Sequence, residues 1–351
     1  MIKLKVDENK MKEIEEKHWE WFKDSMLKNW IVKMNKETDD KFLQIFFDNR
    51  NAFEKWFDKA SKDTVKKWFQ KQEDEKFNVF KEFIVGNIDE LNRKKVKLES
   101  SCGTKNEIGT YLKSQYQTFR TSKNQWGGAH LINELNINVC PYCNRSFVDT
   151  YICDKNGKLI SNAQLDHFYA KDKYPFLAVS LYNLIPSCGV CNHGKLNDNN
   201  KVIYPYEEEF GEDAKFETKF YTDEDVKDDD KIYDIKYLLG NSDNFKIGIE
   251  PKEPKSEIGE KIQNSIKTFH LKELYNFHKD YVRELIKKAI VYNESRIDEL
   301  YTEFPELFSS KEEVLQMVIS NYICDEDLGK RPLSKLTKDI CDELGLKLST
   351  Y

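Results

Sequence analysis

The sequence predicts a mainly α protein with a small α+β module inserted between helical domains, and three observations predict it. No glycine precedes Gly86 and no proline precedes Pro141, so the first 85 residues carry no strong helix breaker. From Cys140 to Lys195 prolines, cysteines and β-branched residues replace that texture. From about Ser256 large apolar residues again recur at helical spacing. A chain of 351 residues is long enough for two or three domains.

Residues 1–125 read as a helical domain. Phe42, Phe46 and Phe47, then Phe53, Trp56 and Phe57, then Phe77, Phe80 and Phe83 keep a helical period, with lysine and glutamate filling many positions between them. Aromatics interleaved with lysines can form a stacking platform for single-stranded bases. The kept period favours an ordinary amphipathic core with a charged outer face, and such a face can also dock a partner protein. Gly127-Gly128 marks the start of the next segment, 126–206. There Phe147 to Cys153 reads as a strand, Asp154-Lys155-Asn156-Gly157 as a turn, and Leu159 to Ala163 as the return strand.

Residues 207–255 read as an acidic irregular segment. Glu207 to Asp230 holds twelve acidic residues against three lysines, so the chain's net charge of −6 sits there and leaves the remainder mildly basic. Net charge therefore does not exclude a nucleic-acid partner. Residues 256–351 return to helix. Ile262, Ile266, Phe269, Leu271, Leu274 and Tyr275, then Val282, Leu285, Ile286 and Ile290, support one or two long helices. His270 and His278, eight apart on that apparent helix, share a face as core or interface residues, or as a second metal site.

Composition excludes several classes. An aromatic share of 13% is too high for a disordered chain. No apolar run approaches the ~18 residues of a spanning helix, so no membrane partner is expected. The opening Met1-Ile2-Lys3-Leu4-Lys5-Val6-Asp7-Glu8 lacks the apolar stretch of a signal peptide. The expectation is a soluble, cytoplasmic protein. In a reducing compartment eight cysteines are not a disulfide framework, so their spacing is read for metal.

Two Cys-x-x-Cys pairs stand out, Cys140-Pro141-Tyr142-Cys143 and Cys188-Gly189-Val190-Cys191. Four thiolates on two tight turns satisfy tetrahedral Zn²⁺ in a closed, structural site. Cys102, Cys153, Cys324 and Cys341 are expected to be buried free thiols. His18 and His130 show no partner in the sequence.

Between the cysteine pairs lie Leu165-Asp166-His167 and Tyr182-Asn183-Leu184-Ile185-Pro186, and the second pair continues as Cys191-Asn192-His193-Gly194-Lys195. On these residues the stretch Cys140 to Lys195 resembles the zinc-bearing HNH endonucleases of the ββα-metal, or His-Me finger, superfamily. The resemblance implies an HNH core in which one strand carries Asp166-His167, a second carries the Asn183 run, and a helix begins near the second cysteine pair. It assigns a catalytic Mg²⁺ or Mn²⁺ to Asp166 and Asn192, with His193 as a competing ligand. Phosphodiester hydrolysis needs a base for the attacking water, and His167 is of the right type. Asn183 would hold the loop that positions His167. Lys195 and Arg145 are candidate phosphate contacts. Where the family has a final histidine, this chain has Asn192.

Leu165-Asp166-His167-Phe168-Tyr169, and Tyr174-Pro175-Phe176-Leu177 through Asn183-Leu184-Ile185-Pro186-Ser187-Cys188, are also similar to the HNH component of Septu-type anti-phage defence systems, which implies an ABC-type ATPase partner. The expected activity is metal-dependent hydrolysis of DNA. The alternative is a catalytically inactive, zinc-stapled adaptor that binds nucleic acid or protein.

Overall fold

The computed structural model describes residues 1–27, 78–92, 107–122, 125–153, 157–174, 177–195, 201–221 and 234–346. The Phe42–Phe77 aromatic run, Cys102, the 154–156 turn, Pro175-Phe176 and the most acidic stretch, 222–230, lie outside the described residues. Among the described residues helices dominate, with three small two-stranded sheets. No described helix is long and apolar enough to cross a membrane.

The chain divides into two compact units that do not follow the linear boundaries expected from the sequence. One comprises Met1–Lys5, Ile137–Val148 and Ser187–Tyr351; the other comprises Val6–Asn136 and Asp149–Pro186. Gly127-Gly128 does not fall between these two units. Gly127 is the N-cap of a helix inside the second unit. A Cβ there would lie 2.7 Å from the Phe119 carbonyl oxygen, so the pair serves close packing rather than a linker.

In the second unit, α1 (Glu8–Phe22) starts where Asp7 accepts hydrogen bonds from the Asn9 and Lys10 amides. Its buried stripe is Ile14, His18, Trp19 and Phe22. Helix α2 (Asn78–Ile84) packs on it. Helix α3 (Glu107–Thr121) buries Leu112, Tyr116 and Phe119. Helix α4 (Gly128–Leu135) ends at Asn136, whose φ of 51° is left-handed. Glu134 on α4 pairs with Lys10 and Lys17 of α1. Strands β1 (Thr150–Ile152) and β2 (Leu159–Ser161) form the expected hairpin, antiparallel with Tyr151 opposite Ile160. Strands β3 (Gln164–His167) and β4 (Leu184–Ser187) pair as a second sheet.

The first unit takes up the chain again at Ser187, the last residue of β4, and α5 (Gly189–Gly194) follows directly. The segment expected to be irregular instead holds β5 (Ala214–Lys219), paired antiparallel with β6 (Lys246–Pro251) from Ala214↔Pro251 to Lys219↔Lys246. Ala214 and Phe216 point inward while Glu217 points out. This is period-two patterning, hidden in the sequence by the surrounding acidic count.

Helix α6 (Glu257–Thr268) is capped by Ser256, whose side chain accepts from Gly259 N. Of the one or two long helices expected, two form, and the single helix expected to carry both His270 and His278 does not. His270 takes φ 49° and stops α6, after which come α7 (Leu271–Tyr275), a 3₁₀ turn at Asn276–His278 and α8 (Lys279–Val291). His270 and His278 therefore do not share a helix face. Helices α9 (Glu294–Glu303), α10 (Lys311–Ile319) and α11 (Ser334–Glu343) complete the unit.

Candidate metal centre and the surroundings of His167

The first cysteine pair sits on a turn whose hydrogen bonds are all local or anchored to the same unit. Cys140 N donates to Ser146 O at 2.9 Å, and Asn144 N donates to Cys140 O at 2.7 Å. Asn144 closes the turn at φ 50°, a conformation that asparagine tolerates better than most residues. Fully buried, it donates from Nδ2 to Leu328 O and accepts from Lys335 N at Oδ1, both at 2.9 Å. Arg145 N donates to Cys143 Sγ at 3.4 Å, and Tyr275 Oη donates to Cys143 O at 2.6 Å. The second pair straddles the start of α5, with Cys188 as its N-cap and Cys191 one turn in.

All four thiols are buried, and their sulfurs lie within 4.8 Å of one another. Cys143 and Cys188 Sγ are 3.9 Å apart. A thiolate tetrahedron with Zn–S bonds of about 2.3 Å has edges of about 3.8 Å, so the cluster fits a metal ion such as zinc. Burial drives the Cys140 thiol well above its ordinary pKa. Hydrogen bonds from Cys140 and the other thiols pull Cys188 down. A dication removes that conflict by letting all four sulfurs ionise together.

In the second unit β3 delivers Asp166 and His167 at its end, both buried at 6% and 7% exposure. His167 Nε2 lies 2.9 Å from Ala178 O. A carbonyl only accepts, so Nε2 carries a proton, and whenever the ring is neutral its lone pair is on Nδ1. Tyr116 packs T-shaped on the imidazole with centroids 4.3 Å apart, and its hydroxyl donates to Leu165 O at 2.9 Å. Burial pushes the Tyr116 phenol up to about 12, which keeps it a donor.

Asn183, fully buried, accepts from Tyr169 N at 2.7 Å and donates to Tyr169 O at 3.1 Å and Leu177 O at 2.9 Å. Its own carbonyl accepts from Phe168 N at 2.9 Å. One side chain thus ties the loop that follows His167. Asp166, His167 and Asn183 are brought together within this unit.

Asn192, His193, Lys195 and Arg145 belong to the other unit. Asn192 is half-buried on α5, and His193 is exposed with Nδ1 donating to Gly189 O at 2.6 Å. Lys195 is buried rather than displayed, its ammonium 6.0 Å from the centre of the Tyr142 ring. Arg145 donates from Nε to His278 Nε2 at 3.0 Å. Burial, followed by the Arg145 charge, holds the His278 pKa below the ordinary histidine value. Cys153 and Cys324 are exposed, against the expectation of burial, because one ends a hairpin strand and the other precedes a surface 3₁₀ turn; Cys341 is buried.

Sequence reasoning missed Tyr116, Asn144, Tyr275 and His18. The only signal for any of them was Asn144 immediately after Cys143, an αL-tolerant residue where a metal turn must close. Comparisons with protein-family models, curated proteins and solved structures gave no match.

Proposed function

We propose that the chain is a metal-dependent endonuclease of the HNH type that hydrolyses phosphodiester bonds in DNA. The observation that carries the reading is the succession β3, β4, α5, with Asp166-His167 at the end of β3, Asn183 at the head of β4 and a buried four-cysteine cluster taking in the start of α5. Supporting it, His167 commits its Nε2 proton to Ala178 O, the tautomer in which Nδ1 is the basic nitrogen of a neutral ring.

In this reading a water delivers its proton to His167 Nδ1 as it attacks phosphorus, and the imidazolium remains anchored through Nε2–H. Asn183 keeps the His167 loop from moving during that transfer. Asp166 offers a hard carboxylate oxygen beside His167 that would help to hold Mg²⁺ or Mn²⁺, and the HNH resemblance adds Asn192 of the other unit as a ligand. Such an ion, when bound, would supply charge neutralisation at the phosphate and at the departing alkoxide. The cysteine cluster holds zinc as a staple and takes no part in the chemistry.

The Septu-like features extend the proposal to anti-phage defence or restriction beside an ABC-type ATPase. Plasmid nicking in the presence of Mg²⁺ or Mn²⁺, with and without such an ATPase, tests the activity. A parent protein that cuts no nucleic acid under either condition leaves the adaptor reading in its place.

A further inference from the structure

We propose that His18, with Trp126 behind it, is a positioning residue for His167 that acts through the Ala178–Val179 backbone. What His167 does is taken from the HNH reading; the clamp itself is argued from contacts within the second unit.

Residues 177–181 are fully buried, and the carbonyls of Leu177, Ala178 and Val179 belong to no sheet. Backbone oxygens sealed from water need donors. Leu177 O accepts from Ser180 N at 3.2 Å, and three side chains from three places donate to the three carbonyls. Asn183 Nδ2 donates to Leu177 O at 2.9 Å, His167 Nε2 to Ala178 O at 2.9 Å, and His18 Nε2 to Val179 O at 2.8 Å. The Ala178 and Val179 carbonyls sit on consecutive rigid peptide planes joined only by the soft dihedrals at Val179. Fixing the Val179 carbonyl therefore restricts the Ala178 carbonyl, which fixes the ring of His167.

Trp126 makes this arrangement single-valued. Its indole N–H, which can only donate, lies 3.3 Å from His18 Nδ1. His18 must then accept at Nδ1 and carry its proton on Nε2, which is the tautomer Val179 O requires. Phe119 and Trp21 pack on the same imidazole at centroid distances of 5.1 and 5.2 Å. Burial lowers the His18 pKa to about 4, so the ring is neutral throughout the neutral range.

The test is long-range ¹H–¹⁵N spectroscopy of the full-length protein with labelled histidines at one pH near 7.5, alongside plasmid nicking. In the parent His167 is expected as a single Nε2–H tautomer. In Trp126→Phe and His18→Ala it should exchange between two tautomers. Nicking should slow roughly 10- to 100-fold at unchanged KM for DNA, the effect expected of a misplaced base. His18→Gln, whose amide can still donate toward Val179 O, should recover part of both readouts.

A folded Trp126→Phe or His18→Ala protein in which His167 stays a single Nε2–H form overturns the clamp. Trp126→Phe decides the matter should His18→Ala not fold. If the parent cuts nothing, the nuclease reading fails while the spectra still decide the clamp.

Discussion

At the scale of single residues, protonation states follow from who faces whom. His167→Ala removes the proposed base and is expected to slow plasmid nicking by roughly 10²–10⁴-fold. It should leave zinc content and DNA retention in a gel-shift unchanged, because no thiol or phosphate contact is lost. Equal cutting by the variant and the parent would end the HNH mechanism. His18 makes a separate prediction about stability. Its folded pKa of about 4 lies below the ordinary 6.5, so the unfolded chain takes up the proton first as pH falls. Stability is therefore full above about pH 6.5 and declines toward pH 4, by on the order of 2–3 kcal/mol at pH 4.5. Urea unfolding at pH 7.5 and pH 4.5 measures it, and His18→Gln should show a smaller difference between the two pH values.

At the scale of elements, two devices hold the first unit. The first is the pair of cysteine turns, which have no sheet of their own and depend on Asn144, Tyr275 and the thiols. Elemental analysis is expected to give about one zinc per chain, and Cys191→Ser to lose both zinc and the folded turns. Metal-free protein with an unchanged thermal midpoint would count against a structural role.

The second device ties α11 to β5. Lys335 Nζ contacts both Asp339 oxygens, at 2.6 and 2.7 Å, and Asp339 Oδ2 also accepts from Phe216 N at 2.9 Å. Both side chains are essentially inaccessible, at 2% and 0% exposure. Asp339→Ala strands a buried ammonium and a strand amide together, and is expected to cost on the order of 3–5 kcal/mol by denaturant unfolding. A change below about 1 kcal/mol would mean that water reaches Lys335 in solution.

At the scale of the whole molecule, the two kinds of metal site should separate in solution. EDTA is expected to stop nicking before any zinc leaves, since a closed thiolate site exchanges slowly and an oxygen-ligand site is open. Simultaneous loss of zinc and activity would contradict two distinct sites. What the sequence alone determined is local and periodic: the β1–β2 hairpin, the start of α6 at Ser256, and the two Cys-x-x-Cys turns whose spacing is itself the geometry. The β5–β6 pairing was locally encoded too, but acidic residues on the outward positions masked its alternation.

Only tertiary structure decided the division into two units, since that depends on which distant segments share a core. It also decided the break at His270 and the company His167 keeps. His18 meets Val179 across 161 positions and Tyr116 meets Leu165 across 49. A hydrogen bond between residues so far apart leaves no period and no spacing in the chain, because its partners are chosen by the fold that brings them together.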